Sequence, residues 1–424
     1  MRCARMMTML ALAAMLALGP ASGQTDDFGY GDTAQQEYRE LQRDLIYRLK
    51  YGMVEARDVS AGLSAWFAAK PLAAAGKYAE ARATLRQGMT AMPGNPPALA
   101  QPTFGPLPTP AEVKLELLQS LTLSDDLWQV MGTQKVTGVT TRIARFQVGE
   151  LTEYGVVMHP TAPGKYPVIL YMHGAAFGLP SFFLPVLAQH AAMGYTIVAP
   201  AMRGEPLFTG TEYLAMSPED MDAYMSEGRI ENLVGEVDDG LAMVAGAQTL
   251  PMVKPGKFAV LGHSFGAGAG LLVATRTDQC AGVVSYDAWL TNPFRYYWDR
   301  LAGGANNWGS WEAYTEQPVD AQLAGLMRRS LVHQAARIQA PLLLFMGGSY
   351  NGSVFHESHD DLIRALRAAD KPFRYEVIPG GGHNFVLYPD SEPAKTARAI
   401  HIPWLKKHLP PVPPPAAALA PEAP

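Results

Sequence analysis

Cysteine is almost missing from this chain: its 424 residues hold two, Cys3 and Cys280. Cys3 falls in an N-terminal segment that reads as cleaved, and a single remaining thiol closes no loop, so disulfides cannot hold the fold. A large net charge is missing as well. The 39 acidic residues only slightly outnumber the 34 Lys and Arg, for a net −5, and this mild acidity argues against nucleic acid as a partner. After Leu18 no apolar run is long enough to cross a bilayer, which argues against stable membrane insertion. What the sequence has in quantity is apolar side chains, 48% of the total. At this length they can bury one large core and a smaller accessory region.

The first 23 residues combine Arg2 and Arg5, an apolar run over 6–18, the helix breaker Pro20, and the small residues Ala21, Ser22 and Gly23 ahead of Gln24. A short, positively flanked apolar run ending in small residues is the pattern of a cleavable export signal, whereas a membrane anchor needs a longer run. Residues 1–23 are therefore read as a signal peptide and the mature protein as secreted or periplasmic.

Residues 24–92 read as helical. Tyr38, Leu41, Leu45, Leu49 and Met53 recur three or four apart, the spacing of one buried helical face. Runs around Leu63, Trp66 and Phe67, and around Tyr78, Ala81, Leu85 and Met89, complete a small bundle. The stretch 75–81 resembles one helix pair of a tetratricopeptide repeat, but a stack needs several repeats, so these helices read as a cap or packing element. Seven prolines over 93–110 mark a linker running over the surface. Residues 111–409 then form one large domain. It opens with a helix near 111–123 and two alternating strands at 136–147 and 151–159, followed by continuous apolar strands at 168–172, 196–199, 258–261, 282–286 and 342–346. Continuous apolar strands separated by helical stretches mean a mostly parallel sheet covered on both faces, an α/β architecture. The tail, 410–424, is prolines and alanines and reads as disordered.

Gly262-His263-Ser264-Phe265-Gly266 follows a buried strand directly and opens a helix rich in small residues. A serine hydroxyl is a weak nucleophile at neutral pH, so it must be held exposed on a strained turn with a base in reach; flanking glycines remove the side chains that would clash there. The base comes last in the chain, from Pro379-Gly380-Gly381-Gly382-His383-Asn384-Phe385, whose glycines let the His383 imidazole reach back to Ser264. His173-Gly174-Ala175-Ala176-Phe177-Gly178 follows an earlier buried strand, and the Ala175 and Phe265 N–H groups are the candidate oxyanion-hole pair. His173 itself reads as structural. His356 and His359, in His356-Glu357-Ser358-His359-Asp360-Asp361, read as the exposed start of a helix rather than metal ligands.

The acid is less direct. The loop after the strand ending at Met346 offers Asn351, an amide that cannot stabilise an imidazolium as a carboxylate does. The preceding strand ends in Tyr286-Asp287-Ala288-Trp289, which places Asp287 at the strand edge where such sites assemble. Asp287 is the acid expected, with Asp360 and Asp361 as outside candidates. Asp238 and Asp239, on the helix before the nucleophile strand, read as solvated or capping.

These motifs carry a resemblance. Gly-His-Ser-Phe-Gly, an Asp-Ala-Trp segment 23 residues after the serine, and a Gly-rich His loop followed by Asn-Phe resemble the plasma-type platelet-activating-factor acetylhydrolases. That family takes its acid from the Asp-Ala-Trp segment, which implies Asp287, and its oxyanion donors match Ala175 and Phe265. More broadly, 167–178, the Pro-Ala-Met-Arg-Gly segment at 200–204 and the elbow are similar to the dienelactone-hydrolase and prolyl-oligopeptidase-like branch of the α/β-hydrolases. The likeness runs over 136–409. It implies an α/β-hydrolase fold behind an N-terminal helical extension, and a serine esterase that needs no metal or organic cofactor and acts on a small-molecule ester.

Directly after Asp287 come Trp289, Phe294, Tyr296, Tyr297, Trp298, Trp308, Trp311 and Tyr314. With Phe177, the residues Trp289, Phe294 and Trp298 are candidates for substrate contact; a satellite core under a long insertion is the competing explanation, and a sugar-stacking platform a third. A second insertion, 205–235, could wall the other side of the cleft. Two other functions stay open: a serine peptidase of the prolyl-oligopeptidase-like branch, disfavoured by the short helical region where a β-propeller would stand, and a non-catalytic binding protein on the same fold.

Overall fold

Strands with little to offer water on either face belong in the middle of a covered sheet, and that is where the continuous apolar segments lie. The computed structural model describes residues 33–174, 178–210, 214, 223–301, 318–348 and 353–415. In chain order the strands are β1 (Leu115–Ser120), β2 (Val139–Val148), β3 (Leu151–Pro160), β4 (Val168–Met172), β5 (Leu179–Pro180), β6 (Thr196–Pro200), β7 (Phe208–Thr209), β8 (Phe258–His263), β9 (Cys280–Tyr286), β10 (Leu342–Gly347) and β11 (Phe373–Ile378). Nine of them form one sheet in the order β1-β2-β3-β6-β4-β8-β9-β10-β11, and β5 pairs separately with β7. From β6 to β11 all pairings are parallel; β1, β2 and β3 join antiparallel at one side. Every residue of β4, β6, β8 and β10 is buried.

The helix expected near 111–123 is instead strand β1. Val113, Leu115 and Leu117 alternate with Lys114 and Glu116, a period of two, and the cross-strand pair Glu116–Arg145 closes an ion pair at 2.6 Å. Leu115 and Val113 lie against Gly246 on the helix Gly235–Ala247, so packing on that helix favours the extended form.

Helices cover both faces. On one, Gly235–Ala247 and Phe265–Arg276 press glycines onto the strands, Gly240 against Leu170 and Met172 and Gly270 against Val260. On the other, Leu184–Ala192 and Glu392–His408 bury Leu184, Leu187, Ala191, Ala394, Ala397 and Leu405 in the same core as Tyr171, Leu261 and Tyr286. The chain passes from β4 to β6 on one side and then to β8 on the other, so strand order reverses at β4. In an open parallel sheet such a reversal leaves a crevice at the strands' C-terminal ends, and sites form there.

The chain divides into two units, Met1–Arg48 with Ala61–Pro93, and Leu49–Ser60 with Gly94–Pro424. In the first, Tyr38 and Tyr78 pack ring to ring at 5.9 Å and Glu37 pairs with Arg82. In the second, the proline-rich segment is held along the surface: Asp58 N–H donates to Pro97 O, Leu99 N–H to Ala56 O, and Arg337 Nη1 to Pro102 O. The tail expected to be disordered from 410 stays attached through 415, because Val412 N–H donates to Gly194 O at 3.1 Å and Pro414 is buried. No helix of the described residues is long and apolar enough to cross a membrane.

Candidate active site

Ser264 sits between β8 and the helix Phe265–Arg276 at φ 55, ψ −118, a left-handed backbone that a non-glycine residue adopts only when its surroundings impose it. They do so through several bonds. Its N–H donates to Tyr286 O at 2.8 Å, and its carbonyl accepts from Gly268 N–H at 3.1 Å and Trp289 N–H at 2.8 Å. The turn also runs tight against β4: a Cβ on Gly266 would stand 2.1 Å from Met172 O, so only glycine fits. Phe265 begins the helix, and a first-turn N–H has no intrahelical acceptor.

His383 reaches the serine from the loop between β11 and the helix Glu392–His408. Its Nε2 is 2.8 Å from Ser264 Oγ. Its carbonyl accepts from His263 Nε2 at 3.0 Å, and Phe355 stands edge-on to its ring at 5.5 Å. Burial pushes His383 down to about 4, which keeps the imidazole neutral, the form that can take a proton. Burial, with His383 beside it, pushes His263 to about 3; it acts as a hydrogen-bond prop.

Asp287 lies at the C-terminal end of β9, fully buried, at φ 48. Its N–H donates to Phe345 O and its Oδ1 accepts Gly347 N–H at 2.8 Å, while Oδ2 accepts no hydrogen bond. Burial, opposed by the Gly347 N–H, lifts the carboxyl to about 8. The outside candidates are placed elsewhere. Asp361 is taken up by Asn292, Arg295 and Arg364, and Asp360 is exposed. Asn351, Ala175 and Phe177 lie outside the described residues, as do Trp308, Trp311 and Tyr314.

Of the other aromatic candidates, Trp289 stacks on Phe265 at 5.7 Å, beside the serine. Phe294 is fully buried, edge-on to His333 at 5.2 Å, a core contact. Trp298 is half-buried, with Lys50 Nζ 5.9 Å from its ring. Two expectations need correction. His359 is buried rather than exposed, its Nδ1 bonded to Phe355 O at 2.9 Å, because it lies on the inner face of the helix Ser353–Ala368. Asp239 is buried rather than solvated and takes the Arg203 guanidinium through two oxygens, with Nη2 to Oδ1 at 2.6 Å. Phe355 was not singled out from sequence, and only its four-residue spacing from His359 hints that the two share a face. Among the described residues no group of three His, Cys, Asp or Glu is disposed to hold a metal ion.

A serine turned out at the end of a central parallel strand, met by a histidine from beyond the last strand, is the organisation of an α/β-hydrolase, and sheet and site together define that class. The chain belongs to the dienelactone hydrolase family, whose family model matches residues 154–408. A Synechocystis sp. protein named as a carboxymethylenebutenolidase is 29% identical over 164 residues, 35% of this chain and 62% of that protein. The acylaminoacyl peptidase of Pyrococcus horikoshii is similar in fold, with TM-score 0.50 and 16% identity over 68% of this chain and 44% of that one. Acetyl xylan esterase 1 from Thermoanaerobacterium sp. gives TM-score 0.44 and 19% identity over 66% and 88% of the two chains. The chain thus spans under two thirds of the curated relative and under half of the peptidase.

Proposed function

We propose that the protein is an exported serine hydrolase that cleaves carboxylic esters of small molecules through an acyl-serine intermediate. The observation that carries this reading is the 2.8 Å contact between Ser264 Oγ and His383 Nε2, made by a serine held at a strained positive φ. His383 takes the Ser264 proton as Oγ bonds to the ester carbonyl carbon. The negative oxygen so formed is held by the N–H groups of Phe265 and Ala175, a role worth about 3 kcal/mol for one donor. His383 then passes the proton to the departing alkoxide, the C–O bond breaks, and water repeats the sequence to release the acid. Asp287 is the acid of the proposed triad: its Oδ2, which accepts no hydrogen bond in the resting arrangement, would take the Nδ1–H of His383 as the imidazolium forms and stabilise it. Among the described aromatic groups, Trp289 stacks on Phe265 and Phe355 stands against His383, which makes these two candidates for substrate contact.

Hydrolysis of a p-nitrophenyl ester chain-length series by wild type, Ser264→Ala, Asp287→Asn and Asn351→Ala tests this. The expected result is an active wild type, an inactive Ser264→Ala, and a far larger loss for Asp287→Asn than for Asn351→Ala. Turnover of N-acylated peptide anilides with no ester cleavage would move the protein to the peptidase reading.

A further inference from the structure

The loop proposed to supply an oxyanion donor leaves β4 at His173 and Gly174 and returns at Gly178, just before β5. Its entry lies against the nucleophile, since a Cβ on Gly174 would stand 3.1 Å from Ser264 Cβ. One side chain reaches both ends. Glu205 is fully buried; its Oε2 accepts Gly178 N–H at 2.9 Å and lies 3.2 Å from His173 Nε2. That Nε2 is also 3.3 Å from Ala201 O, and Nδ1 is 3.3 Å from Gly174 O. Both ring nitrogens face a carbonyl, but Nε2 also faces the Glu205 Oε2, so the tautomer with its N–H at Nε2 satisfies more acceptors.

The exit is equally constrained. Gly178 holds φ 85, and a Cβ there would meet Pro206 O at 2.1 Å, so Gly178 is pressed against the residue after Glu205. Leu179 N–H continues the contact by donating to Leu207 O at 3.0 Å. Glu205 Oε1 has no hydrogen-bond partner. Burial, opposed by the Gly178 N–H and reinforced by Glu236 and Asp239, lifts the carboxyl to about 9. A fully buried carboxyl with an idle oxygen is unfavourable, and an apolar residue would avoid that cost. Its Oε2 contacts supply a reason for having it.

We propose that Glu205 is a positioning residue for the oxyanion loop, holding the Gly178 N–H and the His173 ring so that the backbone after β4 keeps its place against Ser264. The proposal rests on the reading of Ser264 as nucleophile with a donor from this loop. Glu205 does not reach the reacting atoms. Its loss displaces a group that matters most when charge develops on the carbonyl oxygen, so kcat falls while KM does not.

The test is kcat and KM on p-nitrophenyl acetate for wild type, Glu205→Ala, Glu205→Asp and Glu205→Gln, with Ser264→Ala as blank and thermal melts for each. Glu205→Ala and Glu205→Asp are expected to lose about 100-fold or more in kcat, the scale of one oxyanion donor, with KM nearly unchanged. Glu205→Gln keeps an acceptor at the same reach and is expected to stay within about tenfold of wild type. Should the alanine variant fail to fold, the Asp and Gln variants decide alone. A folded Glu205→Asp with wild-type kcat, a loss carried by KM, or a Gln variant as damaged as Asp overturns the proposal. A wild type no more active than Ser264→Ala overturns the underlying reading instead, however the Glu205 variants behave.

Discussion

Ser264 and Asp287 both hold positive φ, 55 and 48, each a conformation unfavourable by about 1–3 kcal/mol for a non-glycine residue. Each is held by bonds to the neighbouring strand, so strain at the proposed nucleophile and at the proposed acid is imposed by the same region, β8 to β10. Burial also moves the proposed base and acid in opposite directions, His383 down to about 4 and Asp287 up to about 8. If the two pair, one proton is common to both and the apparent titration belongs to the pair. That shared proton is the last to leave the pair, so kcat/KM is expected to fall on the acid side with its midpoint well above the value of about 4 that burial alone gives His383, because activity needs that proton gone. Asp287→Asn removes the negative charge that favours the imidazolium. Its midpoint is expected to move down toward 4, with kcat reduced roughly 10⁴-fold. A pH–rate profile of the two proteins checks this; an unmoved midpoint detaches Asp287 from His383.

At the scale of elements, the turn after β6 is tied to the helix Gly235–Ala247 by Arg203. Its guanidinium bonds Asp239 and Glu231, at 2.6 and 2.8 Å, and its N–H bonds Asp239 Oδ2. Burial raises the neighbouring Glu153 carboxyl to about 10, and the charge of Asp239 pushes it the same way. Arg203→Met strands these carboxylates without a cation and is expected to lower stability by about 3–5 kcal/mol, read as a shift in urea midpoint. This network shows where sequence reading stops. The parallel strands were legible because β4, β6, β8 and β10 are apolar throughout, and Ser264 and His383 because glycines mark their turns. The partners of Arg203 and Glu205 were not legible. A buried carboxylate looks like a surface one until its neighbours are known, as Asp239 and His359 show. Strand β1 was misread because adjacent Leu117 and Leu118 blur a period of two.

For the whole molecule, the chain divides into a helical unit, Met1–Arg48 with Ala61–Pro93, and a sheet-bearing unit, Leu49–Ser60 with Gly94–Pro424. Tetratricopeptide-like spacing at 75–81 is explained by a single packed hairpin, the helices Ser60–Ala74 and Tyr78–Ala91. Export is a proposal from residues 1–23, which lie outside the described residues. Expression with the full leader is expected to yield a protein beginning at Gln24 outside the cytoplasm, read by N-terminal sequencing; an uncleaved Met1 would contradict it.

The central claim is that Ser264 is the nucleophile, and the most direct measurement is labelling by a fluorophosphonate probe, located by peptide mass spectrometry and titrated against esterase activity. The account predicts one label per chain, on Ser264, with activity falling in proportion and no labelling of Ser264→Ala. Full activity with Ser264 unlabelled, or a label on another residue that tracks the loss, would contradict it.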